Sequence, residues 1–309
     1  MDALAIPFLL FVGSLLALQA GANVQLSGAV GSPIGASTLQ LAIGAALLVA
    51  LAAVAGTLGA FGALADAEPA HLWGGLGSAV YITAGILLFP RLGALVAVGL
   101  FIAGQMGASL LLDGSGWLGV EREPLGVSAV TGALAVVVGT WMIVRAQAGV
   151  GSLDGALRNR GGWIGVGLAA GAVLPVQGAV NAQLRAEVDA PITVGAFSFL
   201  VATVAMAVVL TVLLAATRSA RPTASRLGAV PWWGWLGGAC GATYVTSVFV
   251  LIPEIGVAPT VALTVAGQQI ASVFVDRYGL LRLPRRSISR ARLTGVVLLL
   301  AGVALIQLA

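Results

Sequence analysis

Residues 171–191, GAVLPVQGAVNAQLRAEVDAP, restate residues 13–33, GSLLALQAGANVQLSGAVGSP. A fixed offset of 158 lays Gln19 on Gln177, Asn23 on Asn181, Gln25 on Gln183, Leu26 on Leu184 and Pro33 on Pro191. After a short insertion the offset becomes 163. Tyr81 then falls on Tyr244, Thr83 on Thr246, Pro90 on Pro253, Gln105 on Gln268, Ser109 on Ser272, Asp113 on Asp276, Gly132 on Gly295 and Gly139 on Gly302. Polar residues repeated this way inside an apolar chain mark two copies of one unit. Membrane helices that repeat in two halves are the sequence mark of a transporter organised about a pseudo-twofold axis.

The chain is too apolar to cover a soluble surface of its size, with 59% hydrophobic and 8% charged residues. Runs of about 20 apolar residues, the length that crosses about 30 Å of hydrocarbon, recur near 4–22, 34–60, 72–90, 92–112, 125–145, 162–182, 192–214, 232–252, 256–276 and 292–308. They are continuous rather than alternating, which predicts helices and not barrel strands. The fold class expected is an all-α integral membrane protein of ten transmembrane helices. Its first five-helix repeat spans 1–150 and its second 151–309. The opening run carries Asp2 and no basic residue, and its copy lies in mid-chain, so a retained helix is expected rather than a cleaved signal.

Lysine is absent, and the 15 basic residues are all arginines. With ten spans, loops alternate between two faces. Only Arg122 and Arg185 fall on one face, together with Asp2, Asp66, Glu68, Asp113, Glu121, Glu123, Glu187, Asp189 and Glu254; the other arginines share the opposite face. The arginine-rich face is therefore read as cytoplasmic, with both termini outside the cytoplasm. An odd number of helices per repeat inverts the second copy. The charges agree, because Arg91 of FPRLG has Glu254 of IPEIG as its counterpart. The basic pI of about 10.2 follows from topology and does not call for nucleic acid, since no soluble domain presents the arginines.

Tyr81 and Tyr244 fall near the middles of the third and eighth runs, and Gln105 and Gln268 close to the middles of the fourth and ninth. A polar side chain facing lipid is costly, so these four point to a cavity or to a neighbouring helix. Substrate contact and interhelical hydrogen bonding both satisfy that constraint. For Gln269, which has Met106 as its counterpart, the interhelical reading is the stronger one. Gln19 and Asn23 lie four apart on the first helix, and Gln177 and Asn181 mirror them on the sixth. They are expected to form matching walls or gates of the site, or to satisfy backbone groups where each helix stops. Pro175 is expected to loosen the sixth helix. Asp113 and Asp276 at helix ends, and Glu254 in a short turn, are expected to be solvated. Pairs of small residues such as Gly167/Gly171, Gly234/Gly238 and Gly237/Gly241 should let helices approach closely.

The stretches LQAGANVQL, FPRLGALVAVGLFIAGQMGASLLLD and residues 231–303 resemble the YdcZ-type family of the drug/metabolite transporter superfamily. The resemblance covers nearly the whole chain through a Q-x-x-x-N-x-Q motif, a P-x-x-G turn and a GQ-x-x-x-S run ending in Asp. It implies a fused form of five-helix proteins that work in pairs, and membrane transport as the class of activity; the function expected is movement of a small organic metabolite or drug-like solute by alternating access. The substrate-binding candidates are Tyr81, Gln105, Tyr244, Gln268, Gln19, Gln177, Asn23 and Asn181, with the site at the repeat interface near the bilayer midplane. The rival is a non-transporting membrane receptor or assembly subunit, which an asymmetric polar layer would favour. No catalytic constellation is expected, no metal and no cofactor. His71, the single histidine, lies beside Glu68 without a second His or Cys. The partners expected are a small-molecule substrate and the lipid bilayer, with a homodimer also allowed, and no nucleic acid.

Overall fold

A computed structural model describes residues 5–122, 126–148, 153–216 and 221–306. Asp2, Glu123 and Arg218 lie outside these residues. The described residues contain helices and no strand: α1 (Ala5–Val30), α2 (Pro33–Val54), α3 (Leu76–Leu92), α4 (Ala94–Ser115), α5 (Val127–Ala148), α6 (Leu153–Val188), α7 (Pro191–Ala216), α8 (Gly237–Ile255), α9 (Val257–Tyr278) and α10 (Arg290–Ile306). By length and composition α1 to α8 can each cross a membrane, α3 together with the 3-10 turn that precedes it. α1 and α6 run eight and six residues beyond the ends expected at 22 and 182. Polar residues near those ends had suggested a stop, but they are buried and the helix continues through them.

Pro90 and Pro253 sit inside the last turns of α3 and α8, and each helix ends three residues later at a glycine. Gly93 (φ 82°) and Gly256 (φ 86°) hold an extended left-sided backbone that a Cβ disfavours, so the P-x-x-G motif encodes a tight reversal into the next helix. Arg91 and Glu254, expected in short turns, belong to these final helical turns.

Helices pack in pairs that repeat when every number is shifted by five. α1 lies on α9 as α6 lies on α4, and α1 on α8 as α6 on α3; α2 meets α7, α4 meets α9 and α5 meets α10. Small residues make these approaches. A Cβ on Gly132 would lie 2.6 Å from the Gly302 carbonyl oxygen, and one on Gly139 2.6 Å from that of Gly295. As the chain advances in α5 its contact retreats in α10, so the two run antiparallel, and the contact maps onto itself under the 163-residue shift. α2 and α7 do the same through Gly44 against Phe199 and Gly195 against Leu48. In α1, Gly13 faces Thr264 of α9, while Gly267 of α9 faces Leu10. The equivalents Gly171 and Gly104 face Phe101 and Leu168 where α6 meets α4.

The ends of the bundle separate by charge. At one end Gln25 donates to the Leu281 carbonyl (3.0 Å), the Thr223 amide donates to the Val30 carbonyl (3.0 Å), and the Arg91 guanidinium lies 4.5 Å from the Trp163 ring. Arg286 packs against Gly93 there. At the other end His71 Nδ1 meets Glu187 Oε1 at 2.6 Å, and the Gln183 amide donates to the Gly119 carbonyl (3.1 Å).

Candidate functional site

Tyr81, Gln105, Tyr244 and Gln268 form one continuous chain across the centre. Gln268 Nε2 donates to the Tyr81 hydroxyl at 2.5 Å, Gln105 Nε2 donates to Gln268 Oε1 at 3.3 Å, and the Tyr244 hydroxyl donates to Gln105 Oε1 at 3.4 Å. All four are buried. The two glutamines are repeat equivalents and meet because α4 and α9 cross face to face. Beside this chain lies a cavity of about 10 Å³, lined by Leu16, Gln19, Ser78, Tyr81, Leu174 and Tyr244 among others. That is room for about one water molecule. The polar centre is therefore closed around itself in this conformation.

The flanking amides diverge. Gln177 and Ser78 exchange hydrogen bonds at 2.8 and 3.0 Å, and Asn181 Nδ2 donates to Ser198 Oγ at 3.1 Å. In the other repeat Gly241 replaces Ser78 and Gln40 replaces Ser198. Gln40 is already engaged, donating to the Gly234 carbonyl (2.9 Å) and accepting from the Gly238 amide (2.7 Å). Gln19 thus faces Gly241 and Asn23 faces Gly237. Gln19 Nε2 and both polar atoms of the Asn23 side chain are buried without a hydrogen-bond partner. A third position follows the same rule: Thr83 donates to Ser37 Oγ (3.0 Å), while Thr246 faces Gly195 and its hydroxyl has no partner. The helix-end role considered for these amides is ruled out, since Asn23 and Asn181 each stand seven residues before their helix ends.

Ser78, Ser198 and Gln40 were not singled out by the sequence reading. Their signal was present in the repeat register, because each occupies a position where the two copies differ in hydrogen-bonding capacity.

Asp276 and Asp113, expected to be solvated, are 1% and 5% exposed. The Asp276 carboxylate accepts the Ala94 and Leu95 amides at 3.0 and 3.2 Å, satisfying the first backbone donors of α4, and accepts from Arg292 Nη2 at 3.1 Å. The P-x-x-G reversal brings the start of α4 against the end of α9, and this buries the carboxylate. At the opposite end, where Asp113 sits, the position equivalent to Arg292 is Ala129. A cavity of about 540 Å³ opens there, lined by Asp113, Glu121, Gln183, Glu254 and Val257 among others. Glu68, His71 and Glu187 also converge at that end, their ligand-type atoms within 4.8 Å of one another. Glu187 further accepts the Glu68 amide (3.0 Å), which ties the turn before α3 to the end of α6.

The family described as "Putative inner membrane exporter, YdcZ" matches residues 4–142 and 162–305. No curated protein matches the chain. A solved structure described as "Crystal structure of protein" is similar in fold, with 20% sequence identity and a TM-score of 0.62, covering 97% of this chain and 96% of that chain.

Proposed function

Because the chain belongs to the YdcZ family of inner membrane exporters, we propose that it carries a small organic solute by alternating access between two inverted five-helix repeats, through the polar centre built on Tyr81, Gln105, Tyr244 and Gln268. The observation that carries this reading is the Gln105–Gln268 contact. One residue from each repeat meets its own equivalent there, at the point about which two halves would rock. The reciprocal antiparallel pairings of α2 with α7 and α5 with α10 support inversion, and the family match in two segments, 4–142 and 162–305, supports a division into two copies. On this reading α9 and α10 also cross the bilayer. The small central cavity fits an occluded conformer, and the larger one at the acidic end fits a mouth on the outer side.

A second reading, a non-transporting receptor or assembly subunit, is favoured by one observation, the unequal hydrogen bonding of the flanking amides. The central chain favours transport, since each repeat supplies one tyrosine and one glutamine.

Gln105→Leu and Gln268→Leu test the proposal, with uptake of a metabolite panel into inside-out vesicles as the measurement. Transport is expected to fall at least about tenfold with expression unchanged, because an interhelical hydrogen bond contributes only about 0.6 kcal/mol to stability and its loss leaves the fold standing. Wild-type transport with a lowered Tm would make these residues scaffolding and remove the proposed site. Orientation has its own test: a reporter after Ala309 is expected outside and one beside Leu157 inside, and the reverse labelling would invert the topology.

A further inference from the structure

The repeat asymmetry has a chemical direction. Gln177 and Asn181 spend their side-chain hydrogen bonds on Ser78 and Ser198. Gln19 and Asn23, one turn apart on a single face of α1, keep Nε2, Nδ2 and Oδ1 open at 2% and 1% exposure. A buried polar atom without a partner costs about 1–3 kcal/mol, and native proteins retain few of them without a use. Both amides pack directly against glycines: a side chain at Gly237 or Gly241 would run into Asn23 Oδ1 or Gln19 Nε2. Gln19 also borders the central cavity.

We propose that Gln19 and Asn23, rather than their equivalents Gln177 and Asn181, take hold of the solute, and that the group they hold is uncharged and sets a hydrogen-bond donor beside an acceptor, as a carboxamide or a nucleobase edge does. The proposal rests on the transport reading above. Two amide N–H groups ask for acceptors, and Asn23 Oδ1 asks for a donor. No Asp, Glu or Arg lines the central cavity, so a charged group entering it would be desolvated without a counter-charge, which is far more costly than burying an amide-like group. Position 78 against 241 is what separates the halves. The serine hydroxyl saturates one glutamine, and the glycine leaves the other to a ligand.

The test measures Tm of the full-length protein in detergent, with uracil and nicotinamide as uncharged probes and benzoate and benzylamine as charged controls. Gln177→Met and Asn181→Leu each break a made hydrogen bond and are expected to lower Tm by about 2–4 °C. Gln19→Met and Asn23→Leu remove groups that lack partners and are expected to leave Tm unchanged or raised. At least one uncharged probe is expected to raise wild-type Tm, and Asn23→Leu to abolish that rise; the charged controls are expected to do nothing. If Gln19→Met and Asn23→Leu lower Tm as much as the other pair, both halves are scaffold and the assignment to α1 is overturned. If neither uncharged probe moves wild-type Tm, or a charged control does, the ligand chemistry is overturned. A probe that binds through Asn23 yet is not moved by vesicles leaves the binding assignment standing and removes the transport reading instead.

Discussion

Gly267→Leu is expected to yield no folded, monodisperse protein, and Gly13→Leu the same. Gly267 of α9 lies against the Leu10 carbonyl of α1, and Gly13 of α1 against the Thr264 carbonyl of α9. A side chain at either site meets backbone, which cannot change rotamer. The two helices must then separate along their length. Overpacking ordinarily costs about 1–3 kcal/mol where side chains can shift, and here the obstacle is the helix itself, set against a total stability of about 5–15 kcal/mol. Gly28→Leu, on the same helix but with nothing within 4 Å, should behave as wild type. Size-exclusion profiles of the three variants check this, and a normal profile for Gly267→Leu would mean that α1 and α9 do not approach as described.

Asp276→Ala carries the second large effect. Its carboxylate accepts two backbone amides of α4 and the Arg292 guanidinium, so its removal takes an acceptor from each of these three donors in a buried place. Breaking one side of a buried ion pair costs about 3–5 kcal/mol. The double variant Asp276→Ala/Arg292→Met removes the stranded cation and should recover part of that loss while leaving the α4 amides uncapped. Thermal melts of the two variants measure the difference. A Tm for Asp276→Ala within about 1 °C of wild type would show that the carboxylate is solvated after all.

The helical class, the repeat and the pairing of Tyr81, Gln105, Tyr244 and Gln268 were legible in the sequence because an apolar background makes each repeated polar residue conspicuous. Their joining into one hydrogen-bonded chain depends on α4 and α9 crossing at equivalent residues, and the repeat register alone does not set that crossing. Asp276 was misread for a related reason: at a helix end it looks exposed, and only the tight reversal at Gly93 brings the start of α4 over it. The ends of α1 and α6 were misread because Asn23 and Asn181 resemble stop signals in a one-dimensional reading. Against glycine and serine on α8 and α7 they are interior groups. The inequality of Gln19 and Gln177 was written at positions 241 and 78, yet it acquires meaning only once those positions are known to face them.

Central to the account is that water-filled access reaches the polar centre from each side of the membrane in turn. Leu16 and Leu174 are repeat equivalents, both buried and both lining the central cavity. Cys240 is the single cysteine, so Leu16→Cys and Leu174→Cys in a Cys240→Ala chain place one thiol each at the centre. A membrane-impermeant methanethiosulfonate reagent applied to right-side-out and to inside-out vesicles is the direct measurement. Modification of both positions from both sides is the result predicted; protection from both sides, or access from one side only, would contradict alternating access.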